Sequence, residues 1–132
     1  MYYKISSLVL NAGKHQNGSR EVFIAQPDAV KESLAGKLFL LAEIDGKKND
    51  TKKVIDFIIT RLDDFYYNDE KIFLQDKIEG LTLDNIFEAA LTKLNKALLE
   101  FISLEKIVLR AEDTNLVLGL VFDNKLLFSK NK

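Results

Sequence analysis

Residues 115–122 and 125–129 read NLVLGLVF and KLLFS, and the dipeptide between them is Asp123-Asn124. Both arms are aliphatic and aromatic. Asp-Asn tolerates the positive φ that a two-residue hairpin loop demands. The stretch therefore predicts an antiparallel hairpin. What precedes it decides the fold. From Thr82 onward, Leu83, Phe87, Ala90, Leu91, Leu94, Leu98, Phe101 and Ile102 recur at helical spacing. Thr82 can cap that helix, and Asp84 in its first turn suits the helix dipole. Its wide apolar face predicts packing on something broad, such as a sheet. Further upstream, Val54, Ile55, Ile58, Ile59, Leu62, Phe65 and Tyr66 mark one face of another helix, with Asp50 as the expected N-cap. Residues 68–80 between them are charged around Ile72-Phe73-Leu74. Two helices in succession ahead of a hairpin do not make a parallel crossover. They predict an α+β fold with a helix pair on one face of a mostly antiparallel sheet.

The N-terminal third supplies the other strands. Residues 38–44, LFLLAEI, are nearly all apolar, which predicts a central strand buried on both faces and ended by Asp45-Gly46. Residues 21–26, EVFIAQ, form a strand stopped by Pro27-Asp28, and 28–36 a connection with room for one helical turn. Residues 14–20 are a polar loop, and 2–10 a first strand halted at Asn11-Ala12-Gly13. Residues 106–109 are an extended lead-in to the hairpin. The expected order is βββααββ. No repeat, low-complexity tract or linker interrupts it, so 1–132 reads as one domain, or as the N-terminal part of a larger one.

Composition narrows the function. The 132 residues are 47% hydrophobic and 30% charged, an ordinary globular balance. Nineteen Lys and Arg against twenty Asp and Glu give a net charge of -1, which disfavours nucleic acid as a partner. The absence of cysteine removes disulfides, thiolate metal sites and thiol nucleophiles, and it fits a reducing, cytoplasmic setting. No apolar run is long enough to span a membrane, and Met1-Tyr2-Tyr3-Lys4 does not open a signal peptide.

Few residues suggest chemistry. His15 is the sole histidine and sits among surface-loop residues. No nucleophile elbow surrounds Ser19, and no glycine loop is built to cradle phosphate. Asp45-Gly46, at a strand end before a helix, can be read as a ligand for a hard divalent cation or as a strand-end turn; the turn is favoured. Lys47, Lys48, Lys52 and Lys53 read as a solvated rim, as do Glu88, Lys93, Lys96 and Glu100 on the last helix. Tyr66 belongs to the core stripe, and Tyr67 is undetermined. The final strand presents an apolar edge guarded only by Lys125 and Lys130, which marks Leu126 and Phe128 as interface candidates.

Three stretches resemble a known family. Leu38-Phe39-Leu40-Leu41-Ala42-Glu43-Ile44-Asp45-Gly46 with the helix over 51–66 is the first. Phe87-Glu88-Ala89-Ala90-Leu91 with Lys93-Leu94-Asn95-Lys96-Ala97-Leu98 is the second. Asp113-Thr114-Asn115-Leu116-Val117 through Leu126-Leu127-Phe128-Ser129 is the third. Together they resemble the N-terminal half of the metal-dependent serine/threonine protein phosphatases of type 2C, in the degenerate form found in uncharacterised bacterial proteins. The resemblance implies half of that family's sandwich, with Asp45 and Gly46 as a residual Mn²⁺ or Mg²⁺ site. The departures are specific. The family's Arg-x-x-Asn-Glu-Asp pattern is replaced by Arg20-Glu21-Val22-Phe23-Ile24, and its glycines after Asp-Gly by Lys47-Lys48-Asn49. The Gly-Asp-Ser-Arg segment and the C-terminal half do not follow Lys130-Asn131-Lys132. Two-metal hydrolysis needs several converging carboxylates, and Asp45 alone cannot hold two ions.

The expectation is a non-catalytic, phosphatase-like interaction module with no catalytic residue and no obligatory cofactor. Its partner is a protein or a second copy at the strand edge. The alternatives are a fragment of a divergent metal-dependent phosphatase and an unrelated small α+β scaffold. A single sheet, rather than two stacked ones, would favour the scaffold.

Overall fold

The computed structural model describes residues 18–75 and 77–130. The strand expected over 2–10, and His15, lie outside them. The described elements are β1 (Ser19–Ile24), α1 (Ala29–Ala35), β2 (Lys37–Ile44), α2 (Lys48–Tyr66), α3 (Leu83–Leu104), β3 (Thr114–Phe122) and β4 (Lys125–Lys130). The four strands form one antiparallel sheet in the order β1-β2-β3-β4. The fold is α+β, as the hairpin preceded by two helices predicts.

Sheet register sorts the side chains. Leu40 of β2 lies opposite Phe23 of β1 and Leu118 of β3, so these three share a face. Leu38, Leu40, Ala42, Ile44, Leu118 and Leu120 on that face join Val54, Ile55, Ile58 and Leu62 of α2 and Ile86, Phe87, Ala90 and Leu94 of α3 in one buried core. The helices thus cover one face. On the opposite face Phe39 is half-buried, Glu43 is exposed and Leu41 is 43% exposed. The expectation that 38–44 is buried on both faces is corrected. The strand is central, but its apolar run reflects a partly exposed apolar sheet face, and among the described residues no second layer covers it. Gly119 of β3 is buried there because the Phe39 ring lies across it, in the space a Cβ would fill.

Helix boundaries follow local chemistry, with two corrections. The connection over 28–36 holds a seven-residue helix, because Asp28 caps it by accepting from the Lys31 N–H at 2.9 Å. It ends at Gly36, whose φ of 76° and close approach to the Val121 carbonyl exclude a Cβ. The N-cap of α2 is Lys47, with no side-chain cap, and Asp50 lies inside the first turn. Thr51 anchors this end instead: it is fully buried, bonded to the Ser19 hydroxyl at 2.8 Å and donating to the Lys48 carbonyl at 3.1 Å. Thr82 caps α3 as expected, accepting from the Asn85 N–H.

The long helix is more deeply buried in its first half than in its second. Helices α2 and α3 run antiparallel, joined by Phe57 stacked on Phe101 at 4.3 Å and by Tyr66 edge-on to Phe87 at 6.2 Å. Its fully buried residues all fall between Leu83 and Leu94, whereas Leu98, Phe101 and Ile102 are only half-buried. Tyr67, undetermined from sequence, is core. Its hydroxyl donates to the Gly36 carbonyl and accepts from the Leu38 N–H, both at 2.9 Å. Tyr66 donates to the Ala35 carbonyl at 2.6 Å. The two rings clamp the turn from α1 into β2. Burial pushes both phenols well above their ordinary value.

Candidate functional site

The β3–β4 hairpin closes through Asp123 (φ 48°) and Asn124 (φ 64°), a two-residue loop with positive φ at both positions. That loop makes Phe122 and Lys125 the first hydrogen-bonded pair, and alternation follows from it. Lys125, Leu127 and Ser129 spend their backbone groups on β3. Leu126, Phe128 and Lys130 turn theirs outward, and among the described residues no strand lies beyond β4. The same three residues carry their side chains on the sheet face away from the helices. Leu126 is 57% and Phe128 66% exposed. This face continues through Val117, Val121, Phe39 and Leu41.

On the helix side of β4 a groove of about 350 Å³ opens beneath the second half of α3. Leu116 and Leu118 form its floor, Leu91 and Leu98 its wall, and Thr92, Asn95 and Ser129 its polar lip. It lies where α3 passes from fully buried residues, the last of them Leu94, to the half-buried Leu98, Phe101 and Ile102 that still pack on the core. Sequence reading assigned Leu91 and Leu98 to the helix's packing stripe and could not find the groove. Its lining joins α2, α3, β3 and β4, and helical spacing within one segment does not show how such distant segments meet.

The second candidate, Asp45-Gly46, sits at the end of β2. The Asp45 N–H donates to the Asp113 carbonyl at 2.9 Å. Its Oδ1 atom is buried without a hydrogen-bond partner, 3.6 Å from the Arg20 guanidinium, which also lies 3.6 Å from Glu43. Gly46 is exposed, with φ 148°. The Oδ1 side of Asp45 is therefore already faced by a cationic side chain. Among the described residues no three His, Asp or Glu side chains converge as metal ligands. Lys47, Lys48, Lys52 and Lys53 are exposed around the start of α2, with Lys53 3.9 Å from Glu105. Glu88, Lys93, Lys96 and Glu100 line the exposed side of α3.

Among the described residues, no helix is long and apolar enough to cross a membrane. The chain matches no protein-family model, no curated protein and no solved structure.

Proposed function

We propose that this chain is a non-catalytic interaction module that takes an extended partner strand on its β4 edge. The observation that carries this reading is the combination at β4 of outward-turned backbone groups, exposed Leu126 and Phe128 on one face, and an apolar groove on the other. Strand addition works in this way: main-chain hydrogen bonds supply affinity, and pockets for alternate side chains supply selectivity. An added strand would send one set of side chains towards the groove and the other beside Leu126 and Phe128. The cysteine-free composition supports a cytoplasmic setting.

Arg20 at Asp45 supports the non-catalytic half of the reading. Its guanidinium lies 3.6 Å from the carboxylate that the type 2C resemblance would assign to a metal, which weighs against a cation there. On this view the resemblance is one of architecture without chemistry. The single sheet among the described residues also favours a small α+β scaffold outside that family. The enzymatic alternative draws on one observation, the buried Oδ1 of Asp45, which makes no hydrogen bond. Calorimetric titration of Mn²⁺ and Mg²⁺, with Asp45→Asn as control, tests it; binding lost in the variant would favour a divergent phosphatase.

The docking reading is tested by titrating an alternating Val/Lys peptide into isotopically labelled protein. The amide signals of Leu126, Phe128 and Lys130 should shift, while those of Lys125, Leu127 and Ser129 should stay nearly fixed. An unmoved edge would sink the proposal.

A further inference from the structure

We infer that the strand received by the β4 edge is β4 of a second copy of this chain, paired antiparallel across a two-fold axis at Leu127. The inference rests on the reading of β4 as a docking edge and names its occupant. Self-pairing of a strand about a two-fold axis is restrictive. Residues directly opposite each other must share a sheet face, and their backbone groups must both turn towards the new neighbour or both turn away from it. Only Leu126, Phe128 and Lys130 turn outward, so even-numbered residues must meet even-numbered ones.

The register centred on Leu127 satisfies this rule and overlaps the two strands over residues 125–129. Leu126 faces the copy's Phe128 and Phe128 faces the copy's Leu126, so two reciprocal hydrogen-bonded pairs form. These four side chains, now exposed, close into one apolar cluster on the outer sheet face. Leu127 meets its own counterpart on the helix side. Lys125 comes opposite the copy's Ser129 at the lip of the groove, where its methylene stem covers the apolar wall and its ammonium stays in water.

Charge selects the same arrangement. Lys125 and Lys130 protect the edge only against registers that set lysine opposite lysine. With Leu127 on the axis, Lys130 instead arrives at the copy's hairpin turn, beside Asp123. The symmetry makes two such Lys130–Asp123 approaches, one at each end of the joined strands. Centring on Phe128 would place Lys130 against Leu126, and centring on Leu126 would place Lys125 against Leu127. Neither matches charge with charge. The result is a continuous sheet across the two copies. A single strand pair is small beside the roughly 1,200 Å² of a stable interface, so the dimer is weak and concentration-dependent.

The absence of cysteine in the native chain makes the test direct. Three variants, Leu127→Cys, Leu126→Cys and Phe128→Cys, are oxidised mildly over a range of protein concentrations. Residues opposite each other at a non-hydrogen-bonded site have Cα atoms about 4.5 Å apart, within disulfide reach. Leu127→Cys should therefore cross-link to dimer. Leu126→Cys and Phe128→Cys should not, because each is offset by two residues from its own counterpart, roughly 7–8 Å away. Sedimentation equilibrium of the native chain should show a monomer–dimer equilibrium that Phe128→Lys or Lys130→Glu weakens about tenfold or more. Cross-linking at Phe128→Cys in place of Leu127→Cys overturns the register. A native chain that is monomeric at every concentration, while the peptide still moves the edge amides, overturns the second copy and leaves the docking edge standing. If neither pairing occurs, both readings fall.

Discussion

Tyr67 shows how one hydroxyl can hold a junction. It serves a buried carbonyl at Gly36 and a buried N–H at Leu38 at once. Tyr67→Phe leaves both backbone groups unpaired, which costs about 1–3 kcal/mol in urea denaturation. The sign of the pH dependence follows from the raised phenols. A phenol whose folded pKa lies above its unfolded value of about 10 contributes fully below that value. Above it, the unfolded chain gives up protons that the fold retains. The contribution of these two phenols should therefore be constant below about pH 10 and stability should fall as pH rises further, and Tyr66→Phe/Tyr67→Phe should blunt that fall. Gly119 makes a different point. Its missing side chain is the seat of the Phe39 ring. Gly119→Ala should cost about 1–3 kcal/mol. Pairing it with Phe39→Leu should recover part of the loss, readable as a non-additive double-mutant cycle in thermal unfolding.

At the scale of elements, the end of α3 uses a residue poorly suited to its conformation. The Ile107 N–H returns to the Ile102 carbonyl at 3.0 Å and the Lys106 N–H to Ser103 at 3.3 Å, with Lys106 at φ 55° between them. This is the helix stop that glycine usually makes. Lys106 is exposed, so its side chain gives little in return. Lys106→Gly should stabilise the protein by about 1 kcal/mol, measured as a higher urea midpoint at unchanged slope. The turn matters because it seats buried Ile107 and directs the chain towards β3.

For the whole molecule, the division between core and docking edge predicts which losses are independent. Phe128 takes no part in the buried core. Phe128→Lys at low protein concentration should leave the unfolding free energy within about 0.5 kcal/mol of native, while abolishing strand docking. Its effect on stability and its effect on pairing should separate cleanly. The elements were legible wherever periodicity was strong: α3 from Thr82, the hairpin at Asp123-Asn124, and β2 as the strand ended by Asp45-Gly46. The start of α2 was not, because Thr51 anchors it through Ser19, thirty-two residues away. Local patterning alone determines that this chain makes an α+β fold and that its last strand carries the apolar residues Leu126 and Phe128 on one face, since hydrophobic spacing and turn residues act over a few positions. Only the tertiary structure decides which face of β2 the helices cover, that Tyr67 is a clamp, that Arg20 sits beside Asp45, and that α3 leaves a groove beside β4. Each of these depends on the angle and register at which distant segments meet, and no short stretch of residues carries that information.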